Sequence, residues 1–130
     1  MVLLPVLASL LPVFCLVLPA AAQAGAHDKL KPTDPYALIF GTVWGPDNRP
    51  VYGIKVEIRR APGKKPRWEL YSDHSGEFAQ RVPAGEADYV IWADAKGVKT
   101  RDGRPLHLKE QVTVHVEYDE RVDMSLHLAD

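Results

Sequence analysis

The sequence predicts an all-β protein whose chain folds into a sandwich of two packed sheets. Apolar and polar residues alternate over short runs, and no stretch keeps a helical period over three turns. The 130-residue chain contains 11 Pro and 9 Gly, which fall between those runs as turn residues do. Its composition, 46% hydrophobic and 25% charged, is that of one ordinary globular domain.

The clearest stretch runs from Ile39 to Ile58, where two alternating segments flank a loop at 45–50. Ile54, Val56 and Ile58 share one predicted face, while the charged residues between them take the opposite, solvated face. The loop contains one Gly, two Pro, one Asp and one Asn, which favour turns. We therefore expect a β-hairpin here.

The remaining runs supply the rest of seven predicted strands. The seven lie at about 36–44, 51–60, 67–72, 77–82, 87–95, 111–116 and 121–128, with a possible short edge strand around 98–101. Asp73 and Gly76 predict a tight turn, because Asp accepts backbone hydrogen bonds and Gly adopts positive φ. Tyr89, Ile91 and Ala93 are expected to face the core. The Lys64–Lys65 turn is interpreted as a solvated loop.

The N-terminal segment is expected to be a signal peptide at 1–24. Residues 2–22 carry no charge, and Ala22-Gln23-Ala24 places small residues where signal peptidase cleaves, so cleavage is expected before Gly25. An uncleaved membrane anchor is the alternative. Cleavage removes Cys15, the only cysteine, so the mature chain would form no disulfide. Residues 25–35 are polar and proline-broken and predict a flexible leader to a domain at 36–130, secreted or periplasmic, with no membrane span after cleavage.

Charge and motif content argue against several functions. The formal net charge of -1, without a basic stripe, argues against nucleic acid. The five His residues include no metal-binding spacing or HExxH motif, so neither a metal nor a cofactor is expected. His115 and His127 are expected to lie opposite each other on the solvated face of a last hairpin. Ser72, Ser75 and Ser125 belong to no nucleophile motif, and no pair of carboxylates stands out, so no catalytic residue is assigned.

A set of turn and core residues resembles one known family. The resemblance is carried by Gly41-Thr42-Val43, Pro50-Val51-Tyr52-Gly53-Ile54-Lys55-Val56, Ser72-Asp73-His74-Ser75-Gly76-Glu77-Phe78 and Val82-Pro83-Ala84-Gly85 with Tyr89. In their order they resemble the carboxypeptidase regulatory-like domain. The resemblance implies a seven-stranded Greek-key β-sandwich of prealbumin-like (transthyretin-like) type. It also implies a non-catalytic exported module that contacts another protein or the cell envelope.

One enzyme group shares that general fold. The transthyretin-like hydroxyisourate hydrolases require a C-terminal Tyr-Arg-Gly-Ser, whereas this sequence closes with Ser-Leu-His-Leu-Ala-Asp. This ending argues against that enzyme, and a small hydrolase is kept as the third and weakest functional hypothesis.

Aromatic residues on predicted outer faces are the candidates for binding. If Ile39, Val43, Tyr89 and Ile91 face the core, then Phe40, Trp44 and Trp92 face outward. Tyr71 is a further aromatic candidate on an outer face. Exposed rings of this kind favour a partner, and tryptophan stacking on sugar rings suggests a carbohydrate-binding module as the alternative function. The competing interpretation is that Trp44 and Trp92 pack beneath loops at the ends of the sandwich.

Overall fold

Eight β-strands and no helix make up the part of the chain that the computed structural model describes, residues 30–130. The strands are β1 (Tyr36–Trp44), β2 (Lys55–Arg60), β3 (Trp68–Tyr71), β4 (Glu77–Pro83), β5 (Ala87–Asp94), β6 (His107–Leu108), β7 (Val112–Val116) and β8 (Arg121–Ala129). The first sheet has the order β4-β1-β8-β6 and the second has the order β3-β2-β5-β7. The predicted all-β sandwich is confirmed, with eight strands in place of seven.

The chain passes repeatedly from one sheet to the other. After β2 and β3 have entered the second sheet, β4 returns to pair antiparallel with β1, as in a Greek key. On the other side of β1 lies β8, and these two strands run parallel. Because neighbouring strands in the first sheet are distant in sequence, most of its pairing is long-range.

The core lies between the two inner faces, where alternation has placed the apolar side chains. Ile54, Val56, Ile58, Tyr89 and Ile91 are each fully buried, as predicted from the period of two. The inner face also holds a glycine that makes space for larger neighbours. A Cβ at Gly41 would fall 2.6 Å from the Met124 sulfur and 2.7 Å from a carbon of the Phe78 ring.

The predicted hairpin between the first two strands is wrong, because β1 and β2 belong to different sheets. The turn itself forms: the Gly45 N–H donates to the Arg49 carbonyl at 2.8 Å, and Asn48 adopts a φ of 60°. Trp44 and Pro50 make only an isolated bridge before the chain leaves for the opposite sheet. Inner faces on opposite sheets bury more apolar surface against each other than a single hairpin could.

The predicted tight turn at 73–76 is present. The Asp73 carboxylate accepts hydrogen bonds from the N–H groups of Ser75 and Glu77, both at 2.9 Å, and Gly76 has a φ of 71°. This turn also carries the chain between sheets, from β3 to β4. A Cβ on Gly76 would lie 2.6 Å from the Pro50 side chain, so the turn packs closely on the β1–β2 connection.

Two expectations for the C-terminal third are corrected. The last two strands form no hairpin, because β7 pairs with β5 while β8 pairs with β1 and β6. His115 therefore lies opposite Asp88, and His127 lies opposite Trp44. The short edge strand is β6 and not the 98–101 segment, which makes a single bridge between Lys99 and Pro105.

The predicted signal peptide and the first part of the leader lie outside the described residues. At the end of the leader, Lys31 and Asp34 close a turn through the Asp34 N–H and Lys31 carbonyl, 3.0 Å apart. From residue 30 onward, the structure contains no helix that could cross a bilayer.

Candidate functional site

The four aromatic candidates are divided between the two outer faces of the sandwich. Phe40 and Trp44 belong to β1 and face outward from the first sheet, where both are half-buried. Trp92 on β5 and Tyr71 at the end of β3 face outward from the second sheet and are 40% and 65% exposed. Trp44 and Trp92 therefore lie on opposite sides of the molecule and form no common site.

One pair of candidates does meet. Phe40 and Tyr71 both line a depression of about 360 Å³ where the edge strands β3 and β4 lie side by side. The small Ala79 side chain, opposite Phe40 on β4, leaves this depression open. Leu70 and Phe78, which pack in or against the core, also line this depression.

An aromatic row runs along the outer face of β1 and consists of Tyr36, Leu38, Phe40 and Trp44. All four side chains lie on the outer face, which alternate positions of the strand form, and Thr42 lies on the same face between Phe40 and Trp44. The Arg81 guanidinium carbon lies 4.4 Å from the centre of the Tyr36 ring, and that of Arg121 lies 4.4 Å from the centre of the Phe40 ring. Arginine on an aromatic face is a cation–π contact, so the row is apolar at its centre and charged at its margin.

A second surface feature, the Trp92 groove, lies on the outer face of the second sheet. It has a volume of about 240 Å³ and is lined by Glu57, Arg59, Lys64, Pro66, Val90, Trp92 and Gln111. Glu57 lies opposite Trp92 in the β2–β5 register, and Arg59 lies opposite Val90. The groove thus combines one indole with carboxylate, amide, guanidinium and ammonium groups.

Neighbouring charges on this sheet shift two pKa values. Glu69 and Glu57, at 3.6 Å and 3.7 Å from the Lys55 ammonium, raise the pKa of Lys55. The hydrogen bond between His115 Nδ1 and Asp88 Oδ1, 2.6 Å long, raises the pKa of His115. Of the carboxylates in these contacts, Glu57 also lines the Trp92 groove, whereas Asp88 does not.

The loop between β2 and β3 forms a basic margin to the groove. Five cations and no acidic residue occur between 59 and 67: Arg59, Arg60, Lys64, Lys65 and Arg67. Lys64 and Arg59 line the Trp92 groove, and Lys64 also borders a neighbouring depression of about 650 Å³. The two lysines are evident in the sequence, but the proximity of Lys64 to Trp92 is not, because it depends on where the loop lies relative to β5.

Metal ligands do not converge among residues 30–130, where no three His, Cys, Asp or Glu side chains are placed to hold one ion. Ser75 lies in the 73–76 turn, where its N–H donates to Asp73, and Ser125 lies on β8. Ser72 is buried, and its hydroxyl is bonded to the backbone at Val51 and Ile54. His74 stacks on Tyr52, with ring centres 4.0 Å apart, and so takes part in an exposed aromatic pair.

Comparison with known proteins identifies the fold but no family. The sequence matches no family model and no curated protein. Among solved structures it is similar to BcpA, the major pilin subunit of Bacillus cereus, with a TM-score of 0.59 and 20% identity over 72% of this chain and 30% of that one. GBS52, a minor pilin of Streptococcus agalactiae, gives a TM-score of 0.56 and 17% identity over 74% of this chain and 45% of the pilin.

An enzyme also has this fold. The 5-hydroxyisourate hydrolase of Klebsiella pneumoniae gives a TM-score of 0.51 and 15% identity, covering 70% of this chain and 90% of the hydrolase. The chain spans less than half of each pilin and nearly the whole of the hydrolase. At such identities the likeness establishes the β-sandwich and transfers no activity.

Proposed function

We propose that the protein is a non-catalytic, exported β-sandwich module that binds a protein of the cell envelope. Export is inferred from the pattern of residues 1–24. The inference that the domain is a non-catalytic module comes from the resemblance to carboxypeptidase regulatory-like domains. The similarity to domains of two pilins is consistent with this role. No cofactor is part of the proposal.

The observation that carries the proposal is the aromatic row on the outer face of the first sheet. Outer faces of sandwich strands ordinarily carry polar side chains, whereas Leu38, Phe40 and Trp44 present apolar surface there. Aromatic and arginine side chains are enriched where proteins bind each other, with apolar surface at the centre and polar groups around it. Arg81 and Arg121 supply that margin.

Site-specific crosslinking tests this function. A photoreactive residue at position 40 of the full-length protein should yield a defined adduct with one envelope protein, and Phe40→Asp should abolish co-purification of that protein. The matched control places the photoreactive residue at position 113, because Thr113 is exposed on the outer face of the second sheet. Equal adducts from both positions, or none from position 40, would contradict the proposal.

A second candidate function, carbohydrate binding, is supported by the Trp92 groove. A 40% exposed indole beside Glu57, Arg59 and Gln111 offers a stacking surface together with hydrogen-bonding groups for sugar hydroxyls. Trp44 lacks this arrangement and lies on the other side of the molecule. A carbohydrate ligand would therefore use Trp92 alone, and Trp92→Ala should remove binding that Phe40→Asp leaves intact.

A further inference from the structure

We infer that the Trp92 groove binds an acidic saccharide, specifically a chain of uronic acid units, with the sugar ring on Trp92 and its carboxylate at Arg59 and Lys64. The inference rests on the second candidate function and specifies its ligand class. Three features of the groove lead to it: its size, the separation of its charges and four cations beside it that form no ion pair within residues 30–130, namely Arg59, Arg60, Lys64 and Lys65.

The size of the groove suits a single sugar ring. A volume of about 240 Å³ next to Trp92 and Val90 gives room for one pyranose, whose C–H face can lie against an indole. Glu57 and Gln111 lie in the same groove and can accept from, or donate to, ring hydroxyls. A flat apolar partner would leave these polar groups without compensation, which disfavours a purely hydrophobic ligand.

The charges are distributed in a way that selects an acid group at one end of the ligand. Glu57 lies beside Trp92, and its carboxylate is balanced by Lys55 at 3.7 Å. Arg59 lies two residues further along β2, opposite Val90, and Lys64 lines the groove from the loop that follows β2. A ligand with hydroxyls near Glu57 and a carboxylate near Arg59 matches this order, and a guanidinium binds a carboxylate in a bidentate way.

The cations at that end are available for a ligand. Within residues 30–130, Arg59, Arg60, Lys64 and Lys65 form no ion pair with a carboxylate. Arg60 and Lys65 extend the positive surface beyond the groove, along the loop. A ligand with a carboxylate on each successive unit would gain further favourable contacts with these cations, whereas a neutral glycan would gain no charge attraction from them. This complementarity is why a polymer of acidic sugars is favoured over a neutral one.

Isothermal titration of the full-length protein with tetragalacturonate tests the inference, with the methyl-esterified tetrasaccharide as the uncharged comparison. The acidic form should bind at least about tenfold more tightly than the ester. Arg59→Gln and Lys64→Gln should each weaken binding of the acidic form about ten- to a hundredfold, as expected for loss of a hydrogen bond to a charged group. Arg101→Gln removes an exposed cation distant from the groove and should leave affinity unchanged.

The outcomes separate this inference from the function on which it rests. Equal binding of acid and ester, abolished by Trp92→Ala, would retain carbohydrate binding and overturn the acidic specificity. Tighter binding of a sulfated neutral tetrasaccharide than of tetragalacturonate would overturn the choice of carboxylate. If Trp92→Ala bound tetragalacturonate as tightly as the wild type does, the basic loop alone would account for binding. That result would overturn the proposed site. Failure of every saccharide to bind would overturn both proposals.

Discussion

Ser72 is buried where the chain leaving β3 passes the chain entering β2, and its hydroxyl joins two backbone groups. The Ile54 N–H donates to Ser72 Oγ at 2.9 Å, and the hydroxyl donates to the Val51 carbonyl at 2.7 Å. The backbone of Ser72 is used as well, since its N–H donates to the Ile54 carbonyl at 2.9 Å. This residue therefore fixes the path along which the chain enters the second sheet.

Replacing Ser72 by Ala should lower the free energy of unfolding by about 2 kcal/mol, because a buried donor and a buried acceptor lose their partner. Urea denaturation measures the change. Ser125→Ala, at an exposed position on β8, is the matched control and should change stability by less than about 0.5 kcal/mol. An equal effect at both positions would contradict the role given to Ser72.

Tyr89 presents the opposite case, a buried hydroxyl with no hydrogen-bond partner among residues 30–130. Its ring is fully buried against Trp68, with ring centres 5.9 Å apart, and burial raises the pKa of the phenol. Tyr89→Phe should therefore leave stability unchanged or raise it by up to about 1 kcal/mol, because the cost of desolvating the hydroxyl disappears. A loss above about 1 kcal/mol in thermal unfolding would show that the hydroxyl has a partner in solution.

At the scale of elements, the turn at Gly76 is held in place by its contact with the β1–β2 connection. Gly76→Ala should cost about 2–4 kcal/mol, since the residue has a φ of 71° and its Cβ would meet Pro50 at 2.6 Å. Gly97→Ala separates the two causes, because Gly97 has a φ of 84° but no atom within 4 Å of a Cβ. It should cost only about 1 kcal/mol. Equal losses in chemical denaturation would show that steric overlap contributes nothing at Gly76.

Where β5 pairs with β7, His115 and Asp88 form a pH-dependent contact. Glu86, 3.9 Å from His115 Nε2, and Glu117 add to the effect of Asp88 in raising the pKa of His115. Because the folded state holds the proton more tightly, the contact stabilises fully below the ordinary His pKa of about 6.5. Its contribution is lost as the pH rises through the higher, folded-state pKa.

Urea midpoints measured from pH 5.5 to 8.5 test this dependence. The difference in stability between the wild type and His115→Gln should be largest at the acidic end and should vanish at the alkaline end. In an Asp88→Asn background the same His115 substitution should show a much weaker dependence, because the main cause of the raised pKa is removed. A difference that grows with pH would contradict the sign of the shift.

Local pattern predicted which residues of each element face inward, but not which elements pair. The inward positions of β2 and β5 follow from alternation alone, because successive side chains on a strand point to opposite faces. The loop at 45–50 suits a hairpin and a crossing between sheets equally well, and only packing of distant strands decides between them. Trp44 and Trp92 lie on outer faces, as alternation indicates, where Trp44 is half-buried and Trp92 is exposed. Their separation, and the basic groove around Trp92, depend on the sheet to which each strand belongs.

For the whole molecule, the first testable consequence is proteolytic maturation. The full-length chain expressed in a bacterium with a general secretion system should be recovered outside the cytoplasm with Gly25 as its first residue. Because Cys15 is the only cysteine, the mature protein should not react with a thiol reagent under denaturing conditions. Intact mass and N-terminal sequencing provide the measurement. Recovery of the uncleaved chain with the membrane would instead indicate the anchor alternative.

The parallel contact of β1 with β8 has a consequence for when the molecule can become folded. These two strands are central neighbours in the first sheet, yet residues 45–120 separate them in sequence. While residues 121–129 are still being synthesised, β1 can have β4 on one side but has an open edge on the other. Completion of the first sheet must therefore wait for the last strand, so this sheet closes only after residues 121–129 have been synthesised.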